Sequence, residues 1–408
     1  MSQILPGAMI GIIGGGQLAR MIALEARRMG YRTAVLDPDA HGPAAQVTDR
    51  HIEGEMSDVA AARALAECCD VLTIDSEHVP ADLLQQLEPL TEVRPGAAVL
   101  RTVQDRLEQR RFLEAHGLPQ PRYASVSCAS DLAVAARTVG FPAVLKTRRE
   151  GYDGKGQARV SSLAELSTAW DALDQRPSTL EAFVEFDKEI SAILARGVDG
   201  EIGFYPVAEN RHRRHILHTS HAPAAISPAV DSQARELGAR VASELGHVGM
   251  LAVELFLTDQ DEILVNEIAP RTHNSGHYTF GACATSQFEQ HVRAICGLPL
   301  GDTSILRPAV MLNLLGDLWA DGEPALGELL EVPGARLHLY GKRRASPGRK
   351  MGHVVVIDDE IDRAGAIAES IVSRFEATRP ARDAVDSRDP GPIARSRSAP
   401  SARASSSP

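Results

Sequence analysis

Cysteine is scarce in this chain, and its five copies (Cys68, Cys69, Cys128, Cys283, Cys296) form no Cys-x-x-Cys pair. Structural zinc and a disulfide framework are therefore not expected, and a reducing, cytoplasmic setting fits. No uninterrupted apolar run reaches the length of a membrane span, and the first nine residues lack the layout of a signal segment. Positive charge is in deficit: 43 Lys and Arg stand against 54 Asp and Glu, a formal net charge of -11. That balance argues against a nucleic-acid or anionic-membrane surface, so an anionic ligand has to be met by local clusters. No Gly-x-x-x-x-Gly-Lys followed by Ser or Thr occurs, which excludes a Walker A loop. The absence of His-Arg-Asp and Asp-Phe-Gly excludes a protein kinase.

What is present begins with a pair of glutamates. The apolar runs 251–257 and 263–268 flank Asp259-Gln260-Asp261-Glu262, the pattern of an antiparallel hairpin. A turn centred between Gln260 and Asp261 pairs positions whose numbers sum to 521, which sets Glu254 opposite Glu267. Two carboxylates facing each other on a largely apolar ribbon repel unless a cation lies between them. Mg²⁺ suits such a site, because it accepts few protein oxygens and takes further ligands from nucleotide phosphates. A hairpin with one solvent-facing side would carry the same glutamates. The sequence that follows, Ala269-Pro270-Arg271-Thr272-His273-Asn274-Ser275-Gly276-His277, places a guanidinium, two imidazoles and an amide beside them. These are donors suited to anionic oxygens.

A second phosphate-type signal lies upstream. The apolar stretch 141–145 ends in Lys146 and leads to Gly151-Tyr152-Asp153-Gly154-Lys155-Gly156-Gln157. Glycines let such a loop present consecutive N–H groups and close over phosphates, and a lysine leaving a buried strand reaches the same oxygens. A mobile hairpin tip without a ligand has the same composition. His212, His215, His218 and His221 recur every third residue, which on an extended strand sends successive rings to opposite faces and points to scattered roles rather than a metal tract.

With 408 residues the chain exceeds what one core serves, so two or three domains are expected. The first opens with a strand at 9–13, the turn Gly14-Gly15-Gly16, a helix at 18–29 and a strand at 32–36 ending in Asp37. That is the dinucleotide fingerprint and supports a rival reading as an NAD-dependent dehydrogenase. A glycine turn at a helix N-terminus binds any phosphate, however, including that of a ribonucleotide. Further elements are expected as a helix from Arg106 to 115, a strand at 190–195 and a helix at 232–245. A small α+β unit is expected after 301, with a strand at 354–357 and a helix at 361–375. Beyond residue 381 the chain is rich in Ser, Arg, Pro and Ala, too polar to order itself.

Taken in order, Gly14 to Met21, Gln104-Asp105-Arg106-Leu107, the loop 151–157, Asn266 to His277 and Gly348-Arg349-Lys350-Met351-Gly352-His353 resemble the ATP-grasp superfamily. Within it the likeness, over residues 9 to 375, is to the N5-carboxyaminoimidazole ribonucleotide synthases. One stretch departs: Asp75-Ser76-Glu77-His78 stands where that family usually has Glu-Phe-Glu-Asn, although Glu77 keeps its acid.

The resemblance implies a mixed α/β and α+β chain with an ATP-grasp fold. A Rossmann-like pre-ATP-grasp domain would span 1–103, the ATP-grasp domain 104–300 and a small C-terminal domain 301–378, followed by a disordered tail, 379–408. It implies an ATP- and bicarbonate-dependent carboxylation of 5-aminoimidazole ribonucleotide through carboxyphosphate, with Mg²⁺ on Glu254 and Glu267 and a homodimeric enzyme. Nucleotide contacts would fall on Arg106, Lys146, Gly151, Tyr152, Asp153, Gly154, Lys155, Gly156, Gln157, Glu181, Ala182, Phe183, Val184, Glu189, His212, Asn266 and Glu267. From the residues alone, Glu181 and Glu189 read as surface acids. Arg271, His273, Asn274 and Lys342 would act on the reacting groups, and Gly16, Gln17, Glu77, Tyr152, Asp153, Lys342 and Arg349 would seat the ribonucleotide. Alternatives are a formate-dependent glycinamide ribonucleotide transformylase and a non-catalytic ATP-binding regulator.

Overall fold

A computed structural model describes residues 3–149, 151 and 155–377. Tyr152, Asp153, Gly154 and the tail 379–408 lie outside the described residues. The first sheet is parallel throughout, with β1 (Met9–Ile13) central, β2 (Arg32–Leu36) and β3 (Arg50–Ile52) on one side, and β4 (Val71–Ile74) and β5 (Glu92–Val93) on the other. Its strands read as short apolar runs because helices cover both faces. The helix Gln17–Arg28 buries Leu18, Met21, Ile22 and Ala26, positions spaced for one face. That face meets a helix from far along the chain, Gln287–Ile295, whose Phe288, Val292 and Ile295 share one core with Ile10, Ile12 and Met21. The first domain is thus locked to the rest by a continuous apolar joint. Truncating the fully buried Phe288 to Ala should cost about 3–5 kcal/mol.

A four-stranded antiparallel sheet follows in the order β6 (Tyr123–Val126), β9 (Ser178–Ala182), β7 (Ala143–Thr147), β8 (Gln157–Val160). Helices Ala129–Val139 and Leu163–Ala172 cover it through Leu132, Ala135, Leu166 and Trp170.

The third sheet has nine strands. The path runs β15 (Ile263–Ala269), β14 (Gly249–Leu257), β10 (Lys188–Arg196), β12 (Ala208–Arg213), β13 (Ile216–Ala222), β16 (Ala309–Leu315), β18 (Lys350–Ile357) and β17 (Ala335–Leu339), with β11 (Ile202–Phe204) paired to β10. One face packs on helix Pro228–Glu244 through Val230, Ala234, Leu237 and Val241. The C-terminal strands extend this sheet from β13 instead of forming one of their own, and helix Ile361–Ala377 covers them through Ala364, Ala368 and Ile371. The histidine tract does not lie on one extended strand. It crosses a hairpin whose turn residues Arg214 and His215 have φ of 50° and 64°, so the rings at 212 and 218 belong to different strands. Among the described residues no helix is long and apolar enough to cross a membrane.

Candidate active site

The hairpin β14–β15 pairs Glu254 with Glu267. Its register is not uniform, however. Pairs beyond the glutamates sum to 521, whereas Leu255↔Val265, Phe256↔Leu264 and Leu257↔Ile263 sum to 520, so a bulge inserts Asn266. A single 521 register would have set Asn266 opposite Leu255, and the reading from sequence is corrected to that extent. A bulge reverses the alternation of the strand it interrupts. Ile263 and Val265 therefore face the same core as Ile268, three residues on, while Asn266 and Glu267 both stay clear of it. The bulge is what puts an amide and a carboxylate side by side.

Cations gather around that amide. Arg106, at the start of helix Arg106–Ala115, donates to both oxygens of Glu181 and, at 3.1 Å, to Asn266 Oδ1. Lys146 Nζ lies 3.4 Å from the same Oδ1 and 3.3 Å from Glu181. Arg110, one helical turn after Arg106 and fully buried, donates to Glu181 and to the carbonyls of Val265 and Asn266. Three cations thus face one buried anion. Burial would raise the Glu181 carboxyl, but Arg106, Arg110 and Lys146 hold it well below the usual carboxylate range. Burial, then the Arg106 charge, lowers Lys146 to about 8. Glu181 is the buried hub of this cluster and not the surface acid its sequence neighbourhood suggested. An excess of buried positive charge is stable only if an anion completes it, and a polyphosphate has the right sign.

The acid pair shows the opposite imbalance. Burial first and the Glu267 charge second raise Glu254 to about 7. Arg106 Nη1 stands 3.8 Å from Glu267, too far for a hydrogen bond. Glu189 accepts from His212 Nδ1 at 2.6 Å, and this contact outweighs burial to raise the imidazole. Among the described residues no group of three or more His, Cys, Asp or Glu has metal-holding geometry. Two carboxylates fit a hard divalent ion that completes its shell with water and phosphate.

The loop after β15 closes the site. Arg271 forms a forked ion pair with Glu77 of the first domain, with Nη2 2.8 Å from Oε1. Burial would raise Glu77, but the Arg271 charge and hydrogen bonds hold it at about 2. His273 Nδ1 accepts from the Ser275 N–H at 3.3 Å, which leaves Nε2, 3.3 Å from Glu254, to carry the ring proton. Burial and the charges of Arg271 and Lys350 lower His273 to about 3, so the ring is neutral. Asn274 forms a reciprocal amide pair with Asn313 at 3.0 and 2.7 Å, a clamp between loop and β16.

Other expected positions sort differently. After Ala182, the half-buried last residue of β9, Phe183 N–H bonds to Pro142 O and Arg159 lies 4.0 Å over the Phe183 ring, with Val184 half-buried. Gly156 has φ +72° and would bring a Cβ within 2.5 Å of Thr147 Oγ1, so this end of the 151–157 loop requires glycine. Gly151, at the other end of the loop, lies beside it, its Cα 3.6 Å from where a Cβ on Gly156 would fall, and Gly151, Lys155 and Gln157 are exposed. Lys342 Nζ donates to Lys350 O at 2.6 Å and lies 5.5 Å over the Tyr340 ring. Arg349 is exposed and donates to Arg344 O. It is Lys350, one residue on, whose charge bears on Glu254, His212 and His273.

At the glycine turn, two carboxylates take the backbone donors. Asp37 accepts from Gly15 N–H at 2.7 Å, and Asp75 accepts from Gly16 N–H and Ala19 N–H. A Cβ on Gly15 or Gly16 would lie 2.6 or 2.4 Å from these carboxylates, so the glycines serve the aspartates. A phosphate bound to these N–H groups would displace both carboxylates, and Gln17 at the edge of the turn is half-buried.

Sequence reasoning missed Arg110, Lys350, Asp75 and Asn313. The four-residue spacing from Arg106 was a signal for Arg110, and Lys350 sat inside a quoted motif. Nothing local marked Asn313.

A split acid and base cluster between two antiparallel sheets, roofed by a Rossmann-like domain, defines the ATP-grasp enzymes. Residues 111–288 match the ATP-grasp domain, 8–104 the ribonucleotide synthetase preATP-grasp domain, and 309–366 the phosphoribosylaminoimidazole carboxylase C-terminal domain. The chain is 44% identical over 361 residues to the N5-carboxyaminoimidazole ribonucleotide synthase of Bacillus subtilis (strain 168), covering 88% of this chain and 94% of that one. It resembles the crystal structure of an ADP complex of N5-carboxyaminoimidazole ribonucleotide synthetase with a TM-score of 0.87 at 44% identity, covering 92% and 100% of the two chains. The Aspergillus clavatus enzyme in complex with ADP and 5-aminoimidazole ribonucleotide gives 0.84 at 33% identity, covering 91% and 99%. The chain belongs to the N5-carboxyaminoimidazole ribonucleotide synthase family.

Proposed function

We infer that this chain uses ATP and bicarbonate to carboxylate the exocyclic amine of 5-aminoimidazole ribonucleotide, in purine synthesis. The observation that carries the reading is the pair of opposite charge imbalances on either side of Asn266, which Mg²⁺ and ATP would neutralise together. Bicarbonate is a poor electrophile. Transfer of the ATP γ-phosphoryl group to it gives ADP and carboxyphosphate, and attack of the amine on that carbonyl expels phosphate. Phosphoryl transfer needs mainly positioning and charge neutralisation.

Lys146 and Arg106 would hold the phosphates, and the connection Glu181 to Val184 with Glu189 the nucleoside. Glu254 and Glu267 would hold Mg²⁺, which supplies charge neutralisation at the phosphate oxygens. Arg271, fixed by Glu77, would orient bicarbonate with its fork, and His273, being neutral, acts as a hydrogen-bond donor and not as a base. Asn274 sets the loop. Gly16, Gln17, Glu77, Tyr152, Asp153, Lys342 and Arg349 would seat the ribonucleotide, under a lid formed by 151–157 that keeps water from carboxyphosphate. The working units on this reading are 1–103, 104–300 and 301–378, in a cytoplasmic homodimer.

The deciding experiment is ADP release with aminoimidazole ribonucleotide plus bicarbonate, against glycinamide ribonucleotide plus formate. Release only with the first pair is expected. Release with the second pair alone would overturn this reading in favour of the transformylase, and release with neither would leave a non-catalytic ATP binder.

A further inference from the structure

Gln287 is fully buried at the first turn of helix Gln287–Ile295, the helix that packs against the first domain. Its own N–H donates to Thr279 Oγ1 at 2.9 Å. Its side chain is wholly committed to the loop after β15. Oε1 accepts the His273 N–H at 2.9 Å, and Nε2 donates to His273 O at 2.8 Å. Because a backbone N–H only donates and a carbonyl only accepts, the orientation of this amide is fixed. Nε2 also lies 2.9 Å from His277 Nδ1, which must therefore accept. Gly276 allows the approach, since a Cβ there would lie 2.7 Å from Oε1.

Both backbone groups of His273 are thus held by one side chain that touches neither Glu254 nor the cation cluster. The ring's remaining freedom is removed by Ser275, whose N–H donates to Nδ1, so Nε2–H is aimed at Glu254. We propose that Gln287 is the positioning residue for His273, fixing the imidazole beside Glu254 from the interdomain helix. The inference rests on the reading above that His273 acts on the reacting groups. A buried amide with both partners on one residue is a rigid support, and misplacement of a reacting group by about 1 Å can cost on the order of 10² in rate.

The test compares three variants of the full chain by steady-state kinetics and urea unfolding. Gln287→Met keeps the length and removes all three side-chain hydrogen bonds. It should lower kcat by about 10- to 100-fold per folded molecule, with KM for ATP unchanged. In Gln287→Glu the carboxyl donates to His273 O only when protonated, and His273 and His277 are the titratable groups facing it. Its turnover relative to the native protein should rise as the pH falls. A structural role alone would lower stability while leaving kcat per folded molecule and its pH profile native, and that result overturns the proposal. Should Gln287→Met fail to fold, the Gln287→Glu pH profile decides. His273→Asn separates the two readings: native turnover in that variant refutes the role of His273 itself. Loss in His273→Asn with native turnover in both Gln287 variants refutes Gln287 alone.

Discussion

Binding of a divalent ion to Glu254 and Glu267 should expel a proton whose yield is set by Glu254. Burial and the opposing Glu267 charge place that carboxyl at about 7 in the metal-free protein, and a carboxylate must be deprotonated to ligate. A group with that pKa is about 90% protonated at pH 6, half at pH 7 and about 10% at pH 8. Proton release per bound ion should therefore fall from about 0.9 through 0.5 to about 0.1 over those two units. The sign follows from linkage. Because the folded-state value lies above the ordinary 4.5, the folded protein loses stability as the pH rises from about 4.5 to about 7, and the ion restores it. A quarter of the Glu254 side chain is exposed, so the penalty is about 2 kcal/mol and not the full amount for a dry pair. The assay is calorimetric titration with Mg²⁺, or with Mn²⁺ as a tighter stand-in, in buffers of different ionisation enthalpy. Glu254→Gln should abolish the pH-dependent component. Release that is flat between pH 6 and pH 8, or unchanged in Glu254→Gln, would refute the placement of the ion between these acids.

Glu181→Gln leaves Arg106, Arg110 and Lys146 without their shared anion and should destabilise the protein by about 3–5 kcal/mol in urea unfolding; a native midpoint would mean the cations are solvated. The Glu77 carboxyl is held at about 2, below its ordinary value, so its stabilisation is full above pH 4.5 and lost as the pH falls towards 2, by roughly 3 kcal/mol. Acid unfolding of Glu77→Gln should lack that component, and an identical acid limb in both proteins would contradict it. Arg271→Lys keeps charge but loses the fork, and turnover at saturating bicarbonate should fall by on the order of 10²-fold. Arg349→Ala should raise KM for the ribonucleotide, by about 1.5–3 kcal/mol, with KM for ATP nearly unmoved; an equal rise in both would place its action on closure.

The acid pair was legible because a strand alternates with period two and a hairpin pairs positions of constant sum, so two numbers sufficed. The bulge was not, because it depends on where the Asn266 side chain finds Arg106 and Lys146, which come from residues 160 and 120 positions away. Glu181 was misread for a related reason. β9 is flanked on both sides in its sheet and its residues Ser178 to Glu181 are all buried, so no alternation marks an inward acid. The ion pair of Arg271 with Glu77 spans 194 residues and joins two domains; sequence shows each charge and not the contact. Helix limits were legible where the cap was read, since caps are local: Asp105 accepts from the Leu107 N–H at the start of the helix that begins at Arg106. The helix expected at 232–245 instead runs Pro228–Glu244, starting four residues earlier at a Pro that follows the capping Ser227. Sheet membership of 301–378 was beyond reach, because β13–β16 pairing brings together strands about 90 residues apart.

Asn266 occupies the position from which the charge arrangement makes sense. A hydrogen-bonded salt bridge between the cation cluster and the acid pair would neutralise both, and Arg106 Nη1 comes to 3.8 Å from Glu267, a long ion pair without a hydrogen bond. The amide that the bulge inserts takes an Arg106 donor instead. By inserting a neutral amide whose oxygen accepts from Arg106 and Lys146, the bulge satisfies the donors without a charge, so the cations stay committed to Glu181 and Asn266 instead of folding over Glu267. The protein thereby keeps one site short of negative charge beside another short of positive charge. A free divalent ion corrects only the second, and free nucleotide only the first while adding its own repulsion to the acids. Only the two together would remove both imbalances, and that is the physical ground for proposing that this site takes a metal-bound nucleotide in preference to either component alone.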